Sequence, residues 1–211
     1  MKINNIIWDW NGTIVRDAFL FVDIMNTLLQ EKGLPKISLH TYKNRFCFPI
    51  TKYWKSLGFR FSASSFQTMN NYFIRQYQKR MFEPSLQPGI KSVLQHIKNK
   101  KINQFVLSAS ENSLLQASIR YYRLEKKFTD VVGVNNINAL GKKGLARKLF
   151  NKYNMSSQRT LVIGDTQYDL EVARELGCKL LLVSYGHFSH RRLVAFGEPV
   201  VARAKDIKLY I

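Results

Sequence analysis

The chain has 211 residues, 45% of them apolar, and carries a formal net charge of +19. This apolar fraction can build a buried core and argues against intrinsic disorder. No stretch approaches the roughly 18 consecutive apolar residues of a membrane span, so no membrane association is expected. The first residues lack a secretory signal pattern, and Cys47 and Cys178 lie in unrelated segments. We therefore expect a cytoplasmic protein without a disulfide framework.

An apolar run at residues 3–9 predicts a first strand that ends in the acid Asp9. Four helices are then predicted, two from apolar residues that recur with a helical period and two from segments that resemble short helices. These predicted helices cover residues 17–32, 38–46, 51–57 and 65–81. Prolines at positions 84 and 88 end this helical part of the chain.

Short apolar strands alternate with helices in the remainder of the chain. The predicted helices cover residues 90–99, 113–122, 144–153 and 168–176, and the strands that follow them cover 102–107, 130–134, 160–163 and 179–183. This alternation predicts an α/β fold with a parallel sheet. Ligands of such sheets bind at the carboxyl ends of the strands, so the residues that close each strand are the candidates for function.

The strand ends carry groups suited to phosphoryl transfer. Asp9, Ser108 and Asp165 each close a predicted strand, and Lys142 lies in the loop after another. A carboxylate can attack phosphorus, and a lysine with a hydroxyl can hold phosphoryl oxygens as charge builds on them. Mg²⁺ prefers carboxylate and carbonyl ligands and would neutralise the repulsion between the anions.

Four segments, IIWDWNGT, FVLSAS, ALGKKG and LVIGDTQYD, resemble the four motifs of haloacid dehalogenase superfamily hydrolases, in the family's order and spacing. The Asp-Trp-Asn-Gly-Thr form of the first motif, the stretch FPITKYWKSLGF and the pair Gly186–His187 resemble a phosphoglycolate-phosphatase-like subgroup. The resemblance implies a Rossmann-like three-layer core with a parallel sheet at residues 1–14 and 87–211. It also implies an inserted, all-helical cap at residues 15–86.

The resemblance also implies roles for individual residues. Asp9 matches the nucleophile, and Ser108 and Lys142 match the groups that hold the phosphoryl group. The Mg²⁺ ligand positions match Asp9, Asn11, Asp165 and Asp169, where Asn11 contributes its backbone carbonyl and Asp169 supports the metal's waters. The residues that match or are candidates for substrate binding are Gly12, Thr13, Ala109, Arg45 and Lys52. The implied reaction partner is a small phosphorylated metabolite, and a monomer or homodimer is expected.

Several of these assignments have alternatives in the sequence. Lys143 competes with Lys142, Ser110 competes with Ser108, and Asp169 also suits the first turn of a helix. His187 and His190 are interpreted as loop residues rather than ligands. Arg45, Lys52 and Lys55 fit a solvated helix face as well as a site for the substrate's anionic end.

Asn11 departs from the family pattern, which has an acid here to protonate the leaving oxygen and then activate water. An amide cannot exchange a proton at neutral pH. The alternatives are therefore a full or slow phosphatase and a weakly catalytic protein that binds phosphorylated or polyanionic ligands. Nucleic acid is the less favoured partner, because no run interleaves aromatic with basic residues. Carbon-centred hydrolysis, as by dehalogenases or phosphonate-cleaving enzymes, also remains open.

Overall fold

Six parallel strands form the centre of the structure, a computed structural model that describes residues 2–134 and 141–211. The strands are β1 (Asn5–Trp8), β2 (Asn103–Glu111), β3 (Asp130–Val134), β4 (Thr160–Gly164), β5 (Lys179–Val183) and β6 (Val200–Val201). Their order across the sheet is β3-β2-β1-β4-β5-β6, and every neighbouring pair is parallel. β1 therefore lies between β2 and β4, and the carboxyl ends of these three strands meet at the middle of one sheet edge.

Five helices lie between β1 and β2 in the chain, and we call the first four the inserted helices: α1 (Ala18–Glu31), α2 (Leu39–Arg45), α3 (Ile50–Ser56) and α4 (Ala63–Arg80). The others are α5 (Ile90–Asn99), α6 (Asn112–Tyr121), α7 (Gly141–Lys152), α8 (Gln167–Leu176) and α9 (His190–Val194). Short 3₁₀ helices cover Glu125–Lys127, Ser157–Arg159 and Ala204–Tyr210. No helix among the described residues is long and apolar enough to cross a membrane.

Successive strand residues point to opposite faces of the sheet, and both faces are buried. Ile7 and Phe105 belong to one apolar cluster, with residues of α7, α8 and the inserted helices. Ile6 and Val106 belong to a second cluster, with residues of α5 and α6. This arrangement is typical of parallel sheets, which are covered on both faces. The α/β fold predicted from the sequence is confirmed.

The inserted helices are joined to the sheet by two chain segments that pair with each other. The backbone N–H of Arg16 donates to the carbonyl of Ser85 at 2.8 Å, and that of Gln87 donates to the carbonyl of Ile14 at 2.9 Å. The side chain of Gln87 also donates to the carbonyl of Gly12 at 2.7 Å. Residues 15–86 contain all four inserted helices, and their movement as a separate cap domain stays a prediction.

Two element boundaries differ from the sequence prediction in ways that affect the site. Helix α7 begins at Gly141, so Lys142 lies in its first turn and not in a loop. The prediction started the helix at residue 144 because the preceding residues are polar and show no apolar period. β2 continues to Glu111, where it pairs with Val134 beyond a register shift. Residues 139 and 140 of the lysine motif lie outside the described residues.

Candidate active site

Three aspartates meet where β1 and β4 end. Asp9 follows β1, Asp165 follows β4, and Asp169 lies in the first turn of α8. One carboxylate oxygen from each lies within 4.8 Å of the others. Asp165 and Asp169 are buried, and the side chain of Asp9 is 11% exposed. The adjacency of β1 and β4 therefore produces the acidic cluster that the sequence predicted.

Lys142 reaches this cluster from the first turn of α7. Its ammonium donates to Asp9 Oδ1 at 2.5 Å and to Asp169 Oδ1 at 2.6 Å, and its side chain is 8% exposed. The neighbouring Lys143 instead pairs with Glu171 at 2.9 Å on the surface, with 48% of its side chain exposed. Of the two lysines, Lys142 is therefore the one next to Asp9.

Asp169 holds the loop after β4 against α8. Its Oδ2 accepts hydrogen bonds from the backbone N–H groups of Asp165 at 3.0 Å and Thr166 at 2.9 Å, and from Thr166 Oγ1 at 3.0 Å. These contacts form a capping box at the start of α8. Since Oδ1 accepts from Lys142, both oxygens of Asp169 already have protein partners.

Asp165 is enclosed by the turn after β1 and the loop after β5. Its Oδ1 accepts from the Thr13 hydroxyl at 3.2 Å, and its Oδ2 accepts from the His187 backbone N–H at 2.5 Å. A Cβ added at Gly12 would lie 2.3 Å from Asp165 Oδ2, and one at Gly186 would lie 2.0 Å from it. Gly12 also has a positive φ of 77°. Both positions therefore require glycine to let the backbone approach the carboxylate.

The acidic cluster carries more negative charge than the nearby cations neutralise. Burial raises the pKa of Asp9 to about 6; the charge of Lys142 lowers this pKa, and the charge of Asp169 raises it further. Burial also raises the pKa of Asp165 to about 8, where the charge of His187 opposes it and the charges of Asp9 and Asp169 add to it. A bound cation would favour the ionised form of both carboxyl groups.

Asn11 is fixed by three side chains. Its Nδ2 donates to Asp17 Oδ2 and to the Tyr77 hydroxyl, both at 2.5 Å. Its Oδ1 accepts from Ser110 Oγ at 2.7 Å. Tyr77 belongs to α4, so this contact links the inserted helices directly to the turn after β1.

Asp17 is a fully buried carboxylate at the centre of this network. It accepts from the Gly12 backbone N–H at 2.8 Å and from the Tyr77 hydroxyl at 2.9 Å. His187 Nε2 lies 3.3 Å from Asp17 Oδ1, and His187 Nδ1 lies 2.7 Å from the Tyr42 hydroxyl. Burial would raise the pKa of Asp17, but the charge of His187 and the hydrogen bonds from Asn11 and Tyr77 hold it below its usual value.

The sequence analysis missed the functional context of Asp17, Tyr77 and Tyr42. Asp17 stood out only as the first residue of a helical pattern, and it does precede the first residue of α1. Its side chain makes no cap hydrogen bond to α1. No local spacing connects it with Tyr77, which is 60 residues away in sequence.

The remaining predicted residues divide into two groups. Ser108 is buried within β2, three residues before the strand ends, its Oγ accepts from the Ser110 N–H at 3.1 Å, and Ala109 is exposed. The other group is exposed and does not line the large cavity between the inserted helices and the sheet: Arg45, Lys52, Lys55 and His190. A role in substrate binding for Arg45 and Lys52 stays a prediction.

A cavity of about 560 Å³ lies between the inserted helices and the sheet. Asn11, Ala109 and Ser110 form its wall next to the site, and α4 contributes much of the opposite wall. The acidic cluster itself does not line the cavity. The cavity therefore lies beside the turn after β1 that carries Asn11.

The sequence model of the haloacid dehalogenase-like hydrolase family matches residues 6–183, and the chain belongs to this family. A phosphoglycolate phosphatase of Synechococcus elongatus is 23% identical over 194 residues, covering 90% of this chain and 88% of that one. A phosphoglycolate phosphatase of Aliivibrio fischeri is 18% identical over 223 residues, covering 97% and 91%. A solved haloacid dehalogenase-like family hydrolase from Streptococcus pneumoniae has a TM-score of 0.84 at 18% identity, with 99% and 98% coverage.

Proposed function

We infer that the protein is a magnesium-dependent phosphatase that hydrolyses a small phosphomonoester through an aspartyl-phosphate on Asp9. The observation that carries this proposal is the contact of Asp9 with Lys142 beside Asp165, at the carboxyl edge of the sheet. The names of the curated relatives are consistent with phosphate ester hydrolysis.

In the proposed reaction, a carboxylate oxygen of Asp9 attacks phosphorus and the bond to the leaving oxygen breaks. The leaving oxygen takes a proton from water, because Asn11 has none to give, and departs as an alcohol. Water then attacks the phosphorus of the aspartyl-phosphate, which frees Asp9 and inorganic phosphate. The Lys142 ammonium, 2.5 Å from Asp9, and the Ser108 hydroxyl are suited to hold the phosphoryl oxygens.

The donor set fits Mg²⁺, because buried carboxylates with raised pKa values stand together without enough cations. Asp9, Asp165 and the backbone carbonyl of Asn11 would hold the ion. Bound there, the ion would offset the repulsion between carboxylate and phosphate. The oxygens of Asp169 already accept other hydrogen bonds, so we assign Asp169 to positioning Lys142 and the loop after β4.

Asn11 limits the proposed reaction, because its amide has no proton to give to the leaving oxygen. A positioned acid–base group typically contributes roughly 100- to 10,000-fold. Turnover is therefore expected to be slow with alkyl phosphates and faster with esters whose leaving oxygen is acidic, such as p-nitrophenyl phosphate. The second candidate function is binding of phosphorylated ligands with weak catalysis, and it would be observed as slow turnover.

The alternatives that attack carbon have less support. Dehalogenases of the superfamily need no metal, whereas the clustered aspartates here are suited to hold one. Phosphonate cleavage in the family uses a cap lysine as an imine former. Lys52 and Lys55 are exposed and lie outside the described cavity lining.

Release of phosphate from p-nitrophenyl phosphate, with Mg²⁺ and with excess chelator, tests the proposal. We expect activity only with Mg²⁺, and its loss in Asp9→Asn, because an amide is a poor nucleophile toward phosphorus. Asp23→Asn removes an exposed acid of α1 and serves as the control. Full activity in chelator, or more than a few per cent of activity in a folded Asp9→Asn protein, would contradict the proposal. Retention on a polyanion column in rising salt tests nucleic acid binding separately.

A further inference from the structure

The cavity beside Asn11 is walled mainly by apolar and aromatic side chains. One face of helix α4 contributes Asn70, Phe73, Ile74, Tyr77 and Gln78, and Met81 lines the cavity directly after the helix. Aromatic residues of α2 and α3 and apolar residues of α6 supply other parts of the wall. Such a wall favours ligand groups that lose little when they leave water.

No lysine or arginine lines the cavity among the described residues. The residues outside the described part are Met1 and 135–140, which read NNINAL, and they contain no basic residue either. The one charged residue in the lining is Glu111, an acid. This lining contrasts with a chain that has 33 Lys and Arg residues, so the basic excess lies elsewhere.

The cavity lies where the leaving group would sit. Asn11 and Ser110 line it, and they hydrogen-bond to each other at 2.7 Å. Asn11 occupies the position that faces the leaving oxygen in the proposed reaction. A phosphate held at Asp9 and Lys142 would therefore direct the rest of the ester past Asn11 into the cavity.

A carboxylate in this cavity would lose part of its hydration against apolar walls, without a cationic partner among the described lining residues and near the acid Glu111, which is costly. We propose that the substrate is a phosphomonoester whose remaining part is uncharged and apolar, of aryl or medium-chain alkyl size, and is not a short carboxylate such as glycolate. This inference rests on the proposed phosphatase function. The volume of about 560 Å³ is within the range of small-molecule sites, roughly 300–1,000 Å³.

Two non-hydrolysable ligands of equal chain length test the proposal in the wild-type protein with Mg²⁺. Hexylphosphonate and 6-phosphonohexanoate differ mainly at the far end, which is a methyl group in one and a carboxylate in the other. By calorimetry, we expect hexylphosphonate to bind at least about tenfold more tightly, because only the carboxylate must be desolvated without a partner. The corresponding phosphate esters, which have nearly the same leaving oxygen, should differ in kcat/KM in the same direction.

A cation added to the cavity wall should change this preference. Ile74 is 43% exposed and lines the cavity, so Ile74→Lys is expected to fold and to shift the binding ratio at least about tenfold toward the carboxylate ligand. Gln78→Lys, one turn further along α4, is the second variant. Leu209→Lys is the control, since Leu209 is 83% exposed and does not line the cavity.

Equal binding of the two phosphonates, or tighter binding of the carboxylate ligand, would overturn the proposal. So would an absence of binding by hexylphosphonate in a protein that hydrolyses p-nitrophenyl phosphate, and this result would leave the phosphatase function standing. Conversely, preference for hexylphosphonate without phosphate release from any ester would refute the phosphatase function and support the apolar cavity as a ligand site.

Discussion

Replacing the amide of Asn11 by a carboxyl group is the change that says most about the site. Asn11→Asp gives the leaving oxygen the acid that the wild-type chain lacks. The same change places the new carboxyl group beside that of Asp17, because the Asn11 amide nitrogen lies 2.5 Å from Asp17 Oδ2. It also removes the donor to the Tyr77 hydroxyl.

Two ionised carboxylates about 4 Å apart repel by about 4 kcal/mol at the effective dielectric constant near 20 that suits protein sites. This repulsion is enough to keep one proton on the pair near neutral pH. A proton retained there can be donated to a leaving oxygen. We therefore expect turnover of alkyl phosphates to rise about 100-fold, the lower end of the range for a positioned acid.

The same repulsion has a stability consequence with a defined sign. A carboxyl pair whose pKa is raised by folding favours the folded state at low pH, and this contribution is lost as pH rises through the raised pKa. The thermal midpoint of Asn11→Asp should therefore fall with rising pH more steeply than that of the wild type. The double variant Asn11→Asp with Asp17→Asn keeps one carboxylate and one amide, and it should lose this extra dependence.

Steady-state rates with hexyl phosphate and p-nitrophenyl phosphate measure the catalytic effect. The gain should be large for the alkyl ester and small for the aryl ester, whose leaving oxygen needs little protonation. Asn70→Asp adds the same charge to the cavity wall and serves as the control. Because Asn11 precedes Gly12, intact-mass and peptide mapping must show that the wild-type protein is not deamidated. Unchanged alkyl phosphate turnover in such protein would refute the missing-acid argument.

Three further outcomes follow from the same contacts. Lys142→Met should lower the free energy of unfolding by about 3–5 kcal/mol in chemical denaturation, because it leaves Asp9 and Asp169 without their shared cation. Lys143→Met at the surface should lower it by at most about 1 kcal/mol, and equal losses in the two variants would contradict the structure. Because the pKa of Asp165 is raised to about 8, stability of the metal-free protein should decline as pH rises from the usual carboxyl range toward that value. Mg²⁺ should remove this decline in thermal melts, and identical pH profiles with and without Mg²⁺ would contradict a metal site there. The inserted helices should change orientation between crystals with and without a beryllium or aluminium fluoride, and identical positions outside lattice contacts would count against gating.

Sequence reasoning located the acidic cluster because its members are set by strand ends. Asp9 and Asp165 close apolar runs that can be recognised locally, and the parallel arrangement brings the ends of neighbouring strands together. Lys142 lies beside Asp9, although its helix begins earlier than the apolar pattern indicates.

The network around Asn11 and the cavity could not be predicted in the same way. The contact between Asp17 and Tyr77 depends on how α4 packs over the sheet, and no local periodicity encodes that orientation. Arg45 and Lys52, the candidates for binding the substrate's anionic end, are exposed, while the cavity wall consists largely of apolar residues that the sequence pattern assigns to a core.

The paired segments between the sheet and the inserted helices make a two-stranded ribbon rather than two independent tethers. Arg16 and Ser85 are joined by one backbone hydrogen bond, and Gln87 and Ile14 by another. The side chain of Gln87 also donates a hydrogen bond to the carbonyl of Gly12, next to Asn11. A rotation of the inserted helices would therefore twist this ribbon as a unit and displace the turn that carries Asn11. In the proposed reaction, such a rotation would couple opening of the cavity to the alignment of the groups at the leaving oxygen.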